Sequence, residues 1–230
     1  MKLFVHFCAF GFSNCYILGT DGSDSHGSDS PGPLPKGPEK PQESASKEAV
    51  KEAIIIDPGS MDEQIITIIE ENKYALRGVL FTHGHTGHVH GITTLKRIYD
   101  TEIYCISPAI QEYKTIPVRD GEILHIGSFR IEVIAVPGHS ADSAVFKAGR
   151  LLFTGDALSA GLVGSTASVY AAANQMTALR SKILSLPGYH VIFPGHGPPT
   201  SLEAEQRFNS GINSYEDNKS RRSRYRLELD

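Results

Sequence analysis

Four short apolar runs in this chain stop abruptly beside a glycine and a polar side chain, and this repeated ending constrains the fold most. The runs are GVLFTHGH at 78–85, VIAVPGHS at 133–140, LLFTGD at 151–156 and VIFPGH at 191–196, while a further run, AIIID at 53–57, reads as a strand followed by a turn at Pro58-Gly59. Continuous apolar runs of this length, bounded by Gly or Pro, read as strands buried on both faces. Glycine lets the adjoining loops approach closely, and a His or Asp stands beside it each time. In open α/β sheets, functional groups gather where strands end and loops begin.

Helical patterns lie between the runs. Ile65, Ile68 and Ile69 predict a helix within 60–74, and further helices are expected near 91–99, 169–185 and 200–210. EIYCIS at 102–107 adds a strand, and the stretch from 122 to 154 is strand-rich, punctuated by Gly127, Pro137-Gly138 and Ala148-Gly149. Strands and helices alternate in one half and strands cluster in the middle, which implies layered α/β packing. There is no internal repeat. The opening MKLFVHFCAFGFSNCYILG has Lys2 before an apolar run, as a signal peptide does. However, His6 interrupts the run and Gly11-Phe12-Ser13 divides it into two strand-length pieces, so a hairpin is expected.

Residues 20–48 are rich in Ser, Gly, Pro and charge and nearly free of large apolar side chains. They read as a low-complexity loop inserted between two strands, with His26 solvated, because such a segment buries too little surface to offset its ordering entropy. With 230 residues and 40% hydrophobic content, one domain over 1–210 is expected, followed by a polar, basic tail at 211–230. A formal charge of −4 gives no global attraction to nucleic acid or anionic lipid, and no run reaches membrane-span length. Cys8, Cys15 and Cys105 are odd in number and lack CxxC spacing. They are expected as packing thiols in a cytoplasmic protein rather than as disulfide or zinc ligands.

FTHGHTGHVHG places His83, His85, His88 and His90 within eight residues. Neutral imidazole near pH 7 serves chiefly as a metal ligand or proton carrier, yet a chance histidine-rich loop would look the same. His139, Asp156 and His196, each at the end of another predicted strand, favour the metal site. Imidazoles with one carboxylate suit zinc or non-haem iron better than magnesium or calcium.

SNCYIL, IIIDPG, THGHTGH, PGHS, FTGDAL and PGHGPPT, in this order and spacing, resemble the metallo-β-lactamase fold superfamily, especially its short glyoxalase II-like (hydroxyacylglutathione hydrolase-like) hydrolases. The similarity runs from Leu3 to Asn209 outside the insertion. It implies a four-layer αβ/βα sandwich of the α/β class with a metal site along one edge. The resemblance makes His83, His85 and His139 ligands of a first metal, with Asp156 bridging to a second held by His88 and His196. The family pattern HxHxDH has its aspartate at Gly87 here, which weakens the second site. His90 is a candidate substitute ligand.

The implied activity is hydrolysis of a thioester or other small ester by a zinc-activated water, with Asp156 and His88 as catalytic groups. One or two zinc ions are expected, with iron or manganese as alternatives. Ser165, Thr166 and Tyr170 are candidate substrate-pocket residues. Long-form relatives carry a C-terminal helical domain with basic side chains for glutathione, which the stretch after His196 does not resemble, so glutathione specificity gains little support. Three other readings stay open. One is a phosphodiesterase or nuclease, with Lys219, Arg221, Arg222, Arg224 and Arg226 beside Tyr225 as a nucleic-acid contact, although a solvated tail explains that run better. The others are iron-dependent persulfide oxygenation and a metal-binding protein with little activity. The expected partner is a small-molecule substrate, and the oligomeric state is left open. His6, His125 and His190 are expected to be structural.

Overall fold

The computed structural model describes residues 1–22 and 50–214. Most of the low-complexity insertion, with His26, and the basic tail beyond residue 214 lie outside the described residues.

The chain opens with an antiparallel hairpin, β1 (Lys2–Cys8) and β2 (Ser13–Gly19). It continues through β3 (Glu52–Ile56), α1 (Glu63–Glu71), β4 (Ala75–Leu80), α2 (Thr86–Val89), α3 (Ile92–Ile98) and β5 (Glu102–Cys105). A small ribbon, β6 (Ala109–Ile110) and β7 (Tyr113–Lys114), precedes β8 (Ile116–Pro117). The second half holds β9 (Ile123–Ile126), β10 (Phe129–Ala135), β11 (Ala144–Ala148) and β12 (Leu151–Gly155). A second ribbon, β13 (Leu158–Ser159) and β14 (Leu162–Val163), leads to α4 (Val169–Ala178), β15 (Val191–Pro194), β16 (Thr200–Ser201) and α5 (Leu202–Phe208). Two six-stranded mixed sheets result, in the orders β1-β2-β3-β4-β5-β8 and β16-β15-β12-β11-β10-β9.

Three apolar layers follow from strand periodicity. In β2 and β3, Tyr16, Leu18, Ile54 and Ile56 face the second sheet, where they meet Ile131, Val133, Phe146, Phe153 and Phe193. Their neighbours Cys15, Ile17, Ala53 and Ile55 point the other way, onto Ile65 and Ile69 of α1 and Ile92 and Leu95 of α3. Beyond the second sheet, Val145, Leu152 and Ile192 pack on Met176, Leu179, Leu202 and Ile212. Helix, sheet, sheet and helix therefore stack in four layers, and strands covered on both faces must be apolar throughout, which is why AIII carries no alternation.

Local chemistry trims the expected helices. Asp62 caps α1 by accepting a hydrogen bond from the Ile65 amide at 3.2 Å, and the chain turns away at Lys73, whose φ is +55°. The predicted helix over 169–185 is α4 followed by a wider π turn, Leu179–Ile183, closed by Leu184 N–H donating to Leu179 O at 2.8 Å. Helix α2, only four residues long, was too short to leave a periodic signal. Among the described residues, no helix is long and apolar enough to cross a membrane.

Candidate metal centre

The C-terminal ends of β3, β4, β10, β12 and β15 open onto one rim of the sandwich. They deliver Asp57, His83, His139, Asp156 and His196 respectively, while His85 and His88 lie on the turn into α2 and on α2 itself. Two groups of potential ligand atoms form there, and within each the atoms lie within 4.8 Å of one another: His83, His85, His139 and Asp156, and His88, Asp156 and His196. Asp156 belongs to both. Its Oδ2 is 3.4 Å from His139 Nε2 and 3.4 Å from His196 Nε2, and its Oδ1 is 3.3 Å from His88 Nε2.

Neighbouring groups fix the tautomers. His139 Nδ1–H donates to Ser165 O at 2.9 Å, His196 Nδ1–H donates to Phe12 O at 2.8 Å, and His88 Nδ1–H donates to Asp57 Oδ2 at 3.1 Å. Thr82 Oγ1 donates to Asp57 Oδ2 at 2.6 Å, so its lone pair receives His83 Nδ1–H at 3.1 Å. Four imidazoles thereby turn Nε2 toward the centre, and His85 instead presents Nδ1, 3.0 Å from His139 Nε2. His83 Nε2 and Asp156 Oδ1 are buried without hydrogen-bond partners, which is costly unless a cation is held between such groups. The donor set thus fits a divalent metal: lone pairs converge on an anionic carboxylate.

The electrostatics agree. Burial, reinforced by the nearby His88 charge, pushes the His83 imidazole down to about 4, so it is neutral and free to coordinate. Burial, with His139 nearby, also lowers His85. Burial alone would lower His88 too, but hydrogen bonds and charge from Asp156 and Asp57 raise it to about 10. Donation of a hydrogen bond to Asp156 raises His196. Asp156 is held far below the carboxylate range: its burial acts in the opposite sense and is overridden by His196 and His88. Two carboxylates flanking His88 draw positive charge to this point, whether a proton or a metal carries it.

Asp57 went unrecognised as a site residue in the sequence, where DPG reads simply as a turn. It is 1% exposed with φ +50°, and it also accepts from the Thr82 amide at 2.8 Å. One side chain thus orients both His83, through Thr82, and His88. Asn14 was missed likewise: its Nδ2 donates to Pro194 O and Gly197 O at 3.0 and 2.8 Å, and Tyr16 Oη donates to Pro194 O at 2.5 Å. The SNCY segment ties the first sheet to the loop carrying His196. Gly195 permits this crowding, because a Cβ there would lie 2.4 Å from Asp156 Oδ1.

The remaining expected site residues fall elsewhere. His90 belongs to neither ligand group. Its ring stacks on Phe10 with centroids 3.9 Å apart, because it follows the last turn of α2 and faces outward. Its expected role as substitute ligand is corrected accordingly. Ser165 touches the centre through its carbonyl, Thr166 Oγ1 donates to Ser168 O at 3.4 Å, and Tyr170 is 77% exposed on the first turn of α4. Gly87 lies on α2, where a Cβ would meet nothing nearer than Gly11 at 3.5 Å, so the backbone accommodates a side chain there. His6 pairs with Asp62 at 2.7 Å, His190 Nδ1 donates to Pro187 O at 2.7 Å, and His125 is exposed on β9.

Comparison with known proteins follows these features. The chain is 32% identical over 190 residues to a hydroxyacylglutathione hydrolase, GloC, of Haemophilus influenzae, covering 71% of this chain and 89% of that protein. Among solved structures, BLEG-1, a B3 metallo-beta-lactamase, superposes with a TM-score of 0.70 at 21% identity, covering 92% of this chain and 99% of that one. TTHA1623 in a di-iron-bound form superposes at 0.67 and 23% identity, covering 90% and 98%. At these identities the two structures speak for the fold alone. Residues 48–196 match the metallo-beta-lactamase superfamily, and with the two sheets, the outer helices and the shared Asp156 this establishes the chain as a member of that superfamily.

Proposed function

We propose that this chain is a metal-dependent hydrolase of a thioester or other small ester. The observation that carries the reading is the pair of ligand groups meeting at Asp156, with His83, His88, His139 and His196 each oriented through Nδ1 by a neighbour. His83, His85, His139 and Asp156 would hold the first ion, and His88, His196 and Asp156 a second. Zinc suits this nitrogen-rich set. A bound ion supplies a hydroxide near neutral pH and polarises the carbonyl under attack.

The chain's own residues do the rest. Asp156 Oδ1, without a hydrogen-bond partner, is available to hold the proton of the attacking water. Where only the first ion is held, His88 Nε2, 3.3 Å away, faces the same oxygen and can pass a proton onward, while Asp57 fixes its ring. Gly87 leaves the second group with only one carboxylate, and that one is shared. The first group therefore dominates binding. Losing one such ligand typically costs about 10–100-fold in metal affinity or activity.

The test combines elemental analysis with turnover. Protein purified without added metal should carry close to one ion per chain and hydrolyse simple thioesters, and His85→Ala should remove both. Retention of full turnover in His85→Ala, or metal-free protein with unchanged turnover, would refute the proposal.

A further inference from the structure

Two loops supply the carbonyls that orient ligands of the two groups, Phe12 O for His196 and Ser165 O for His139. Both loops carry large apolar side chains in water. The β1–β2 turn and the strand entering it expose Phe7, Phe10 and Phe12 at 57%, 48% and 72%, while Leu162, Val169 and Tyr170 flank Ser165. Apolar side chains scattered singly on a surface are ordinary, but a cluster marks a binding face. Here the Phe7 and Phe12 rings lie 6.3 Å apart, and Phe10 stacks on His90.

Backbone conformation gives a second, independent indication. Phe12 has φ +54°, a region that a bulky L-residue enters only at a cost and where glycine or asparagine is the usual choice. Neither burial nor ring packing within a core offsets that cost, since most of the side chain is exposed. Strain at an exposed aromatic beside a metal-ligand loop is what a binding role would leave in place.

Charge narrows the ligand. The segments that build the rim, 8–14, 57–61, 82–92, 136–146, 154–175 and 194–200, contain no Lys or Arg. Their carboxylates include Asp57, Asp142 and Asp156, with Asp142 Oδ2 only 3.2 Å from where a Cβ on Gly84 would lie. Away from the ligand groups themselves, no Lys or Arg in these segments would compensate a carboxylate or phosphate on the substrate.

Resting on the hydrolase reading, we propose that the substrate is an uncharged ester or thioester with an apolar acyl chain, and that Phe10 and Phe12 on the β1–β2 turn form the lip that seats this chain. Attachment of the lip to His196 through Phe12 O aligns the seated chain with the reacting carbonyl. Each methylene that leaves water on the lip should tighten binding by about 3–4-fold.

The experiment uses the metal-loaded full chain and two readouts. The first is KM and kcat for N-acetylcysteamine thioesters with acetyl, butyryl, hexanoyl and octanoyl groups, compared with the glutathione thioesters of the same acids. The second is calorimetric affinity for a non-hydrolysable octyl thioether of N-acetylcysteamine, which reports on the lip even if no ester is turned over. Affinity should rise with chain length, and the anionic glutathione series should be poorer throughout. Phe12→Ser and Phe10→Ser, at exposed positions that leave the core intact, should weaken octyl thioether binding and raise the octanoyl KM by about 10-fold more than the acetyl KM. Equal binding of the thioether by native and both serine variants would overturn the proposal, as would a preference for the glutathione series. A concentration-dependent dimer broken by Phe12→Ser, with thioether affinity unchanged, would assign the patch to a second copy and also overturn it. Thioether binding that follows the lip pattern without any turnover would leave the lip standing and remove the hydrolase reading.

Discussion

Replacing Gly87 with aspartate tests the asymmetry between the two ligand groups. The position tolerates the change: a Cβ there meets only Gly11 Cα and O at 3.5 Å, an ordinary contact, and its φ is not among the positive values. Within the short helix α2 the substitution even gains a few tenths of a kcal/mol in propensity, and an acidic side chain suits the start of a helix. The new carboxylate joins His88 and His196, whose Nε2 atoms face each other at 3.3 Å, and doubles the anionic ligands of that group. A ligand of this kind is worth about 10–100-fold, or about 1.4–2.7 kcal/mol, in affinity for the second ion. Zinc titration by calorimetry, after chelator dialysis, should show one tight equivalent in the native chain and two in Gly87→Asp. Gly87→Asn, of similar size but neutral, separates charge from shape and should stay close to the native stoichiometry. Two equally tight equivalents in the native protein would refute the reasoning, and so would an asparagine variant matching the aspartate one.

Two further substitutions probe the supporting residues. Asp57→Ala strips Thr82 N, Thr82 Oγ1 and His88 Nδ1 of their common acceptor in a fully buried place, so it should cost about 3 kcal/mol or more and lower Tm by about 6–12 °C in thermal unfolding. An unchanged Tm would mean that Asp57 is not an organising residue. Asp62→Ala removes the α1 cap and the His6 partner and should cost about 1 kcal/mol at pH 7. Burial would raise the Asp62 pKa, but the Ile65 amide and His6 bring it below 3.8, so its contribution is complete above that value and fades as pH falls through the folded pKa. Urea midpoints of native and variant should therefore differ at pH 6, with the gap closing only as pH falls through the folded pKa; a gap that widens with acid would contradict the assignment.

Layered α/β packing and a histidine-rich metal site were legible because both rest on local signals, whereas the four-layer sandwich and the division of the ligands into two groups came only through the family resemblance. A strand covered on two faces has to be apolar along its length, so AIII and GVLF announce themselves, and histidines are rare enough that HGH at a strand end stands out. What stayed hidden depends on contacts between distant segments. Asp57 reads as a turn residue, yet it is the same kind of signal as Asp156, an acid where an apolar strand ends beside glycine. Asn14 gives no local sign that its amide reaches Pro194 and Gly197, some 180 residues further on. The hairpin was evident, but alternation alone could not show that Phe4 turns inward while Phe7, Phe10 and Phe12 remain in water. His90 misled for the opposite reason: proximity in sequence to a missing ligand says nothing about which side of a helix a ring occupies.

The way the two ligand groups are supported explains why the first can survive a defect in the second. His83, His85 and His139 follow the ends of β4 and β10, interior strands of separate sheets, and Thr82 and Ser165 orient His83 and His139. His196 instead takes its orientation from Phe12 O, on a turn at the edge of the first sheet, while Ser13 Oγ donates to Gly87 O at 2.7 Å from the same turn. A change confined to residues 9–13 or 87 therefore acts on the second group first and reaches the first only through Asp156 and the Asp57 carboxylate. The side chain absent at 87 and the strained aromatic at 12 consequently lie on one continuous structural unit, the turn packed on α2. The absence of a carboxylate at 87 and the proposed apolar lip are coherent there: with fewer charges to hold at that end of the rim, the turn is free to present hydrocarbon to a substrate.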